Sequence, residues 1–318
     1  MEQNTEGVIL SIAIVNWNTA RMTKECIQSI IDNTRRINYE LIVVDNASTD
    51  DSVKIITENF PQVTLIKNIQ NLIFAEPNNQ ALEISRGKYF LLLNSDTIVH
   101  GDALGQMVDF LDTHEEAGGV TCTLLNSDGS IQYNMHRRFP SFLGLSFGYL
   151  YKRYPRLKTK WAKEYLMLDN KFEKIQKIDQ AAGTCIMIRK DIINQVGGLF
   201  DAERFPLLYN DVDLCYRLYK KGFGIYLIPD AFITHLKGQS IKKLGFSPHM
   251  KEVVFSSLSF FKKHKKYVDY ILLKLEYLIV FSAVALCSLV LFMVKKNRYT
   301  DFKDSLSILL SAVMENRN

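Results

Sequence analysis

Four polar side chains that can do chemistry lie where apolar runs of the sequence end: Asp45, Asp96, Asp211 and His235. In an open α/β sheet, the carboxyl ends of the strands form the edge at which ligands bind. Side chains that follow such runs are therefore expected to converge on one crevice at that edge. That crevice is the candidate active site.

Asp96 gives the clearest signal of the four. Five apolar residues, 89–93, run without interruption into Asn94, Ser95 and Asp96, which is typical of a strand buried on both faces. A carboxylate with neighbouring oxygen donors suits a hard divalent cation, and such a cation suits a diphosphate. The alternative is that Asp96 only caps a following helix. From this segment alone, both interpretations stay open.

A second acidic pair, Asp211 and Asp213, lies near the start of a predicted helix. The helix dipole alone favours carboxylates at a helix N-terminus. The aromatic-rich approach over residues 205–209 indicates more than a dipole effect, so a structural and a functional interpretation both stay open. His235 closes an apolar strand pattern, and a lone histidine there is more often structural than a ligand.

The elements that must position these residues alternate between strand and helix patterns. Strands are predicted at 8–15, 40–44, 63–66, 89–93, 118–121, 183–188 and 224–228, and helices at 19–31, 80–85 and 100–114. Residues 71–79 are predicted to form a polar loop before the second of these helices. This rhythm predicts an α/β fold with a parallel sheet of the nucleotide-binding type.

The composition supports a large α/β domain with a smaller appendage, since 47% of the 318 residues are apolar. The net charge is +5, and the basic residues cluster in the middle and C-terminal parts, which favours a membrane surface over a nucleic acid as partner. The five cysteines are scattered without metal-binding spacing, and residues 1–7 are polar and resemble no signal peptide. A cytosolic catalytic part is therefore expected.

Residues 141–177 form a candidate insertion in which aromatic and basic residues alternate. Such a pattern can stack a nucleic acid, can form a flexible lid for an acceptor resting on anionic lipid, or can be a solvated loop. We expect any acceptor information to lie in this segment.

The C-terminal part contains 18 residues without a formal charge, 277–294, between the basic run 262–266 and Lys295, Lys296 and Arg298. Eighteen helical residues span ~27 Å, near the lower limit for crossing a bilayer. Basic residues on both flanks argue against a simple span and favour a re-entrant or interfacial helix. A helix buried against the catalytic domain is the alternative.

Eight segments in a fixed order carry a resemblance to a known family. They are IVNWN at Ile14, VVDNASTDDS at Val43, NLIFAEPNN at Asn71, LLLNSDT at Leu91, GTCIMIRKD at Gly183, GGLFD at Gly197, NDVDLCYRL at Asn210 and HLKGQS at His235. The chain resembles family 2 glycosyltransferases, and within them the bacterial rhamnosyltransferase-like enzymes of surface-polysaccharide assembly. The resemblance implies a GT-A fold, which is a Rossmann-like mixed sheet flanked by helices, here with a C-terminal hydrophobic helical extension.

The resemblance also implies roles for the candidate residues. Asp45 would bind the nucleotide, Asp96 and His235 would hold Mg²⁺ or Mn²⁺ on the donor diphosphate, and Asp211 would be the general base of an inverting transfer. The implied nucleotide-sugar contacts further include Val15, Asn16, Asn18, Asn71, Asn78, Asn94 and Ser95. The implied acceptor contacts or supporting residues are Asp213, Asn210, Gly183 and Thr184.

Three features depart from the family pattern. Asn94 takes the place of the first carboxylate of the metal motif, and Asn210 replaces the usual Glu before the base. Ile73, Pro77 and Ala81 stand in place of three glycines, which predicts a different backbone approach to the nucleotide.

The implied function is transfer of a sugar, with rhamnose from dTDP-rhamnose as the expected donor, to a polyprenyl-diphosphate-linked or growing glycan in O-antigen or capsule synthesis. Residues 1–245 would form the catalytic domain. Residues 246–318 would associate with the cytoplasmic face of the cell membrane, with 301–314 on that surface or in a homodimer contact. The alternatives are a noncatalytic glycan- or nucleotide-binding membrane scaffold and a nucleotidyltransferase, although residues 15–19 lack the triphosphate loop of the latter.

Overall fold

The computed structural model describes residues 7–133, 135–236, 246–294 and 299–314. Its strands are β1 Leu10–Asn16, β2 Tyr39–Asp45, β3 Thr64–Lys67, β4 Tyr89–Asn94, β5 Thr97–His100, β6 Ala117–Leu125, β7 Gln176–Ile178, β8 Cys185–Arg189 and β9 Gly224–His235. They form one sheet in the order β3-β2-β1-β4-β8-β6-β9-β5, and β7 pairs with β9.

The sheet is mixed, as the family resemblance implies, and not parallel throughout as the strand and helix rhythm predicts. Strands β3, β2, β1 and β4 are parallel neighbours, and β6 runs parallel to β9. Strand β8 is antiparallel to both β4 and β6, while β5 and β7 are antiparallel to β9. The parallel half therefore directs the carboxyl ends of β1, β2 and β4 to one edge.

The helices up to residue 220 flank this sheet or belong to its connections. They are α1 Ala20–Asn33, α2 Ser52–Asn59, α3 Ala75–Ile84, α4 Ala103–Thr113, α5 Phe142–Arg153, α6 Lys160–Tyr165, α7 Lys190–Gln195 and α8 Asn210–Lys220. Strand β4 is buried on both faces, as predicted. Leu91 belongs to the apolar cluster that contains Ile12, and Leu92 belongs to the cluster on the other side with Ala13.

Two local predictions are wrong. Helix α3 begins at Ala75 instead of residue 80, because the Phe74 and Ala75 N–H groups donate to the Pro206 carbonyl at 3.1 and 2.9 Å. The helix predicted at 100–114 is α4 Ala103–Thr113 and begins three residues later than predicted. Residues 97–100 instead form strand β5, because they pair with the end of β9. The β-branched Thr97 favours this extended form.

Three helices follow the sheet: α9 Phe246–His264, α10 Tyr267–Val294 and α11 Tyr299–Met314. They share a third apolar cluster with α5 and α6, which contains Leu145, Tyr165, Phe260 and Phe281. The insertion 141–177 thus contains two helices in the described part of the chain, and it packs against the C-terminal extension.

Among the described residues, α10 is long and apolar enough to cross a membrane over Tyr267–Met293. Only 17% of its most apolar window is buried, which argues against the alternative of a helix enclosed by the protein. Within the basic run 262–266, Lys263 Nζ forms ion pairs with Asp201 Oδ2 and Asp213 Oδ1, each at 2.9 Å. Lys295, Lys296 and Arg298, like residues 237–240 of the segment at His235, lie outside the described residues.

Candidate active site

The register of the parallel strands brings several predicted site residues together at one edge. Asn16 lies opposite Asp45 across β1 and β2, and Val15 lies opposite Asn94 across β1 and β4. Each of these residues is at or next to the end of its strand. The side chain of Asn94, the last residue of β4, is partly exposed at this edge.

Asn16 is a fully satisfied buried amide that positions Asp45. Its Nδ2 donates to Asp45 Oδ1 at 2.7 Å and to Ser48 Oγ at 3.0 Å. Its Oδ1 accepts from the hydroxyls of Thr19 and Thr23 at 2.8 and 2.6 Å. Because every polar atom of this side chain is used within the protein, Asn16 holds the Asp45 carboxylate in place.

The loops after β1 and β2 hold each other in strained conformations. Asn18 and Ala47 both have positive φ, at 53° and 61°. The Asn18 Oδ1 accepts from the Thr49 N–H at 2.7 Å, and the Asn18 N–H donates to Ser48 Oγ at 2.9 Å. Backbone strain of this kind persists only where the surroundings fix it, and it is common at ligand sites.

The loop before α3 is tied to the same place through Asn46. The Asn46 Nδ2 donates to Asn71 Oδ1 and to the Ile73 carbonyl, each at 2.7 Å. Ile73, at one of the three family glycine positions, has φ of 71°. Asn78 is buried and donates to the Phe74 carbonyl at 2.8 Å, so its amide supports the start of α3.

Replacing Ile73 by Gly is expected to raise the free energy of unfolding by about 1 kcal/mol, because a β-branched residue is strained in the left-handed region. Its side chain is 46% exposed, so little packing is lost. Chemical denaturation would measure the change. Ile69→Gly, at a fully exposed position without this backbone conformation, is the control and should show no gain.

The pairing of β5 with β9 brings His235 to Asp96. Thr97 lies opposite His235, and the His235 Nε2 is 3.5 Å from Asp96 Oδ1. Both side chains are almost fully buried. Ser95, also buried, contacts the Thr19 hydroxyl at 3.1 Å and connects this pair to the β1 loop.

Gln132, which the sequence does not single out, fixes the orientation of His235. Its Nε2 donates to the carbonyls of Leu125 and His235 at 2.8 and 2.7 Å, so its Oε1 must face the imidazole. That oxygen is 3.3 Å from His235 Nδ1 and accepts its hydrogen. The Nε2 atom faces Asp96 and is therefore the nitrogen that would bind a metal ion.

The residues present fit a divalent cation bound together with a diphosphate. The described residues contain no group of three or more His, Cys, Asp or Glu side chains that could hold a metal by themselves. Mg²⁺ is commonly held by only one or two protein ligands together with substrate phosphates and water. Asp96 and His235 provide such a partial ligand set.

Replacing Gln132 by Ala is expected to weaken Mn²⁺ binding in the presence of a nucleoside diphosphate by about 10- to 100-fold, as is typical when the hydrogen-bond partner of a ligating histidine is lost. Titration calorimetry would measure this affinity. Gln106→Ala, on the exposed face of α4, is the matched control. Equal affinities of the two variants would contradict the assigned role of Gln132.

Asp211 lies at the start of α8 with its carboxylate held by two backbone N–H groups. Oδ2 accepts from Gly183 and Oδ1 accepts from Val212, both at 2.8 Å. A Cβ at Gly183 would lie 3.3 Å from Asp211 Oδ2, so glycine permits this close approach. Burial raises the pKa of Asp211 against the opposing effect of these hydrogen bonds. A raised pKa is a property of many general bases.

Two hydrogen bonds connect Asp211 with the strand that leads to Asp96. The Asn94 N–H donates to the carbonyl of the buried Thr184 at 2.9 Å, and the adjacent Gly183 N–H donates to Asp211. The candidate base and the candidate metal ligands are thus joined across β4 and β8. Asn210 is buried and donates to the Leu207 carbonyl, so its amide stabilises the turn before α8.

Asp213 lies apart from this arrangement, in a buried ion-pair network between α8 and α9. Its Oδ2 is 2.7 Å from Arg217 Nε, and its Oδ1 is 2.9 Å from Lys263 Nζ and 2.7 Å from His264 Nε2. Burial would raise its pKa, but the hydrogen bonds from His264, Lys263 and Arg217 and the charge of Arg217 lower that pKa to about 2. Its carboxylate therefore orients the helix that carries Asp211.

Residues 11–197 match the family model described as Glycosyl transferase family 2. The chain belongs to this family. Among curated relatives, this glycosyltransferase is 24% identical over 245 residues to the N-acetylglucosaminyl-diphospho-decaprenol L-rhamnosyltransferase of Mycobacterium tuberculosis, covering 73% of this chain and 77% of the relative. It is 25% identical over 238 residues to the O-antigen biosynthesis protein RfbC of Myxococcus xanthus.

The family 2 glycosyltransferase is also 27% identical over 237 residues to the uncharacterized protein y4gI of Sinorhizobium fredii. The matches to y4gI and to RfbC each cover 73% of this chain. The chain spans only 25% of the length of y4gI and 17% of the length of RfbC. The confirmed part of the resemblance is therefore the family and its rhamnosyltransferase-like relatives.

Solved structures show the fold. The chain superposes on the mannosyltransferase PcManGT from Pyrobaculum calidifontis, in complex with GDP-Man and Mn²⁺, with a TM-score of 0.54 at 15% identity over 98% of this chain and 88% of the other. It superposes on GalNAc-T7, with UDP, GalNAc and Mn²⁺, with a TM-score of 0.55 at 14% identity over 79% and 48%. The predicted GT-A fold is confirmed.

Proposed function

We propose that this family 2 glycosyltransferase transfers a sugar, with inversion, from a nucleotide-sugar donor to a lipid-linked or growing glycan in surface-polysaccharide synthesis. The observation that carries the proposal is the hydrogen-bonded connection between Asp211 and the strand that ends at Asp96 and faces His235. This connection supports a base on one side of the reacting sugar and a diphosphate site on the other.

In the proposed reaction, Asp45 and the loop around Asn18 bind the nucleoside, and Asp96 and His235 hold Mg²⁺ or Mn²⁺. The bound ion would offset the charge that develops on the leaving nucleoside diphosphate. The Asp211 carboxylate takes the proton of the acceptor hydroxyl as that oxygen attacks the anomeric carbon. The Gly183 and Val212 N–H groups hold both carboxylate oxygens in place before the acceptor arrives.

The relatives support a more specific donor and acceptor. The mycobacterial relative is named for L-rhamnose transfer to a diphospho-decaprenol-linked sugar, and RfbC is named for O-antigen biosynthesis. We therefore propose dTDP-rhamnose as the donor and a polyprenyl-diphosphate-linked glycan as the acceptor. The Mn²⁺ in both structural relatives supports a divalent ion.

We further propose that residues 1–245 are the catalytic domain and that 246–318 hold it at the cytoplasmic face of the cell membrane. The exposed apolar surface of α10, which includes Ile279 at 70% exposure and Leu286 at 63%, supports this attachment. Helix α10 could lie in the membrane interface, re-enter the bilayer or span it once. Each of these positions would bring the catalytic domain to a lipid-linked acceptor.

A thermal-shift panel tests the proposed donor site. The purified chain is mixed with dTDP-rhamnose, UDP-glucose or GDP-mannose, each with Mn²⁺, Mg²⁺ or EDTA. We expect one nucleotide class, dTDP-rhamnose, to raise the melting temperature only when a divalent ion is present. Stabilisation that persists unchanged in EDTA would contradict the metal–diphosphate site at Asp96.

A further inference from the structure

The segment from residue 141 to residue 163, which contains α5 and the start of α6, carries a dense positive charge. It has six Lys or Arg residues and no Asp or Glu. Lys163 forms an ion pair with Asp169 at 3.5 Å. Four others are exposed and have no ion pair with a carboxylate among the described residues: Arg153, Arg156, Lys158 and Lys160. The protein itself therefore leaves most of this positive charge without a neutralising partner.

The same segment exposes large apolar side chains beside these bases. Leu143 and Leu150 on α5 are 40% and 43% exposed, and Tyr154 and Leu157 in the turn after α5 are 53% and 51% exposed. The turn is held by a hydrogen bond, since the Leu157 N–H donates to the Tyr154 carbonyl at 2.9 Å. Single exposed apolar residues are ordinary on a protein surface, but a group of them marks a contact surface.

Helix α5 is held against the apolar helix α10 by a polar and an apolar contact. The Ser146 hydroxyl donates to Glu276 Oε2 at 2.5 Å. The buried Leu145 belongs to the same apolar cluster as Phe281 of α10, and so does the buried Tyr165 of α6. The basic segment and α10 are thus parts of one packed unit.

The exposed apolar surface continues across this contact. Residues three or four positions apart lie on one side of a helix. Leu143 and Leu150 therefore flank the hydrogen-bonded serine on α5, and Leu272 and Ile279 flank the glutamate on α10. All four of these apolar side chains are exposed. The two helices together present one apolar face, and the unpaired bases lie at its α5 end.

The same packed unit reaches the candidate base. Its apolar cluster contains the buried Phe205, and Tyr209 and Val212 pack against it from the start of α8. The Val212 N–H donates to Asp211 Oδ1 at 2.8 Å. A surface that binds the face formed by α5 and α10 therefore also determines where Asp211 lies relative to that surface.

An anionic phospholipid surface matches both properties of this face. Its headgroups neutralise the exposed bases, and the outer part of its acyl region accepts the apolar side chains between them. A second copy of the chain matches less well. A two-fold contact places the same patch of both copies face to face, which brings bases against bases.

We propose that residues 143–160 form a second membrane contact beside α10, which binds anionic phospholipid and holds the start of α8 near the lipid-linked acceptor. This inference rests on the proposed function, because it assumes that α10 attaches the enzyme to a membrane. It adds a selectivity for lipid charge, and it assigns part of the attachment to the insertion within the catalytic domain.

Tryptophan fluorescence with brominated lipids tests the two contacts separately in the full chain. The three variants are Leu157→Trp in the basic segment, Ile279→Trp on α10, and Ile69→Trp at a fully exposed position as the control. The signal of the wild type, which comes from Trp17 and Trp161, is subtracted. With equimolar brominated phosphatidylglycerol and phosphatidylcholine, we expect quenching of the Leu157→Trp and Ile279→Trp variants and none of Ile69→Trp.

The charge of the lipid and the charge of the segment are then varied. In brominated phosphatidylcholine alone, quenching of Leu157→Trp should decrease strongly, whereas quenching of Ile279→Trp should persist. In the Leu157→Trp chain, we replace Arg153→Gln, Arg156→Gln and Lys158→Gln together. This change should weaken the contact with anionic lipid by about 100-fold and remove most of the quenching, because each base near such a surface contributes roughly a factor of five.

A matched control removes the same net charge from another part of the surface. Lys24→Gln on α1, Arg35→Gln directly after α1 and Lys54→Gln on α2 replace three exposed bases. Together they should leave the quenching of Leu157→Trp unchanged.

The outcomes separate this inference from the attachment by α10. Quenching of Ile279→Trp without quenching of Leu157→Trp would overturn the inference and leave the attachment by α10 in place, and a dimeric chain would then assign the face to a second copy. Equal quenching of Leu157→Trp in the two lipid mixtures would overturn the selectivity for anionic lipid. Quenching of Leu157→Trp alone would support the basic segment and contradict the attachment by α10, and no quenching of either variant would contradict both.

Discussion

Replacing Asp211 by Asn is expected to lower turnover by about 10²- to 10⁴-fold, the usual contribution of a general base. Asn has almost the same shape as Asp, but its amide does not take a proton from the acceptor hydroxyl. The affinity for the nucleotide sugar should stay unchanged, because the donor contacts proposed here come from β1, β2 and β4. Initial rates and a separate donor titration would measure the two quantities.

Asp191→Asn is the matched control, since Asp191 is an exposed carboxylate in the first turn of α7. It should turn over like the wild type. Because burial raises the pKa of Asp211, the acidic limb of the rate profile should lie above the pH at which an exposed aspartate titrates. Normal turnover of Asp211→Asn would exclude Asp211 as the base.

Replacing Asp213 by Asn is expected to lower the free energy of unfolding by about 3–5 kcal/mol, since breaking a buried ion pair leaves uncompensated charge. Its carboxylate is completely buried beside Arg217, Lys263 and His264. Denaturant unfolding would measure the loss. Asp109→Asn is the control, because its partner Arg36 is exposed and the change should be small.

The same carboxylate predicts a pH dependence of stability. Asp213 has a pKa of about 2 in the folded protein, lower than in the unfolded chain, so its contribution is complete above the unfolded value near 4. It is lost as the pH falls through about 2, and it amounts to about 2 kcal/mol. As the pH falls from about 4 to about 2, the free energy of unfolding should therefore decrease less for Asp213→Asn than for the wild type. Parallel acid-unfolding curves would contradict this account.

The sequence predicts those parts of the fold that short-range patterns determine. The uninterrupted apolar run of β4 predicts its burial on both faces, and the polar residues that follow it predict the site edge. Asp96 and His235 can be selected because each ends an apolar run. Their meeting depends on the pairing of β5 with β9, which no local pattern indicates, because Thr97–His100 is a short segment directly before a helix.

The parts that sequence patterns miss depend on contacts between distant segments. Gln132 orients His235 from another part of the chain, and the backbone of Arg137 pairs with that of the distant Gln180. The start of α3 is set by a carbonyl of Pro206. Asp213 shares a helix turn with Asp211, yet its partners Lys263 and His264 come from α9, so spacing alone does not separate the two roles.

The most direct test of the central claim is release of nucleoside diphosphate from dTDP-rhamnose by the full chain, with a polyprenyl-diphosphate-linked sugar as acceptor. We predict release with Mn²⁺ or Mg²⁺, none with EDTA, and a large decrease for Asp96→Asn. Binding of the nucleotide sugar without release under any metal would contradict a working transferase. It would instead favour the noncatalytic scaffold, for which Asn94 and Asn210 in place of carboxylates are the supporting observation.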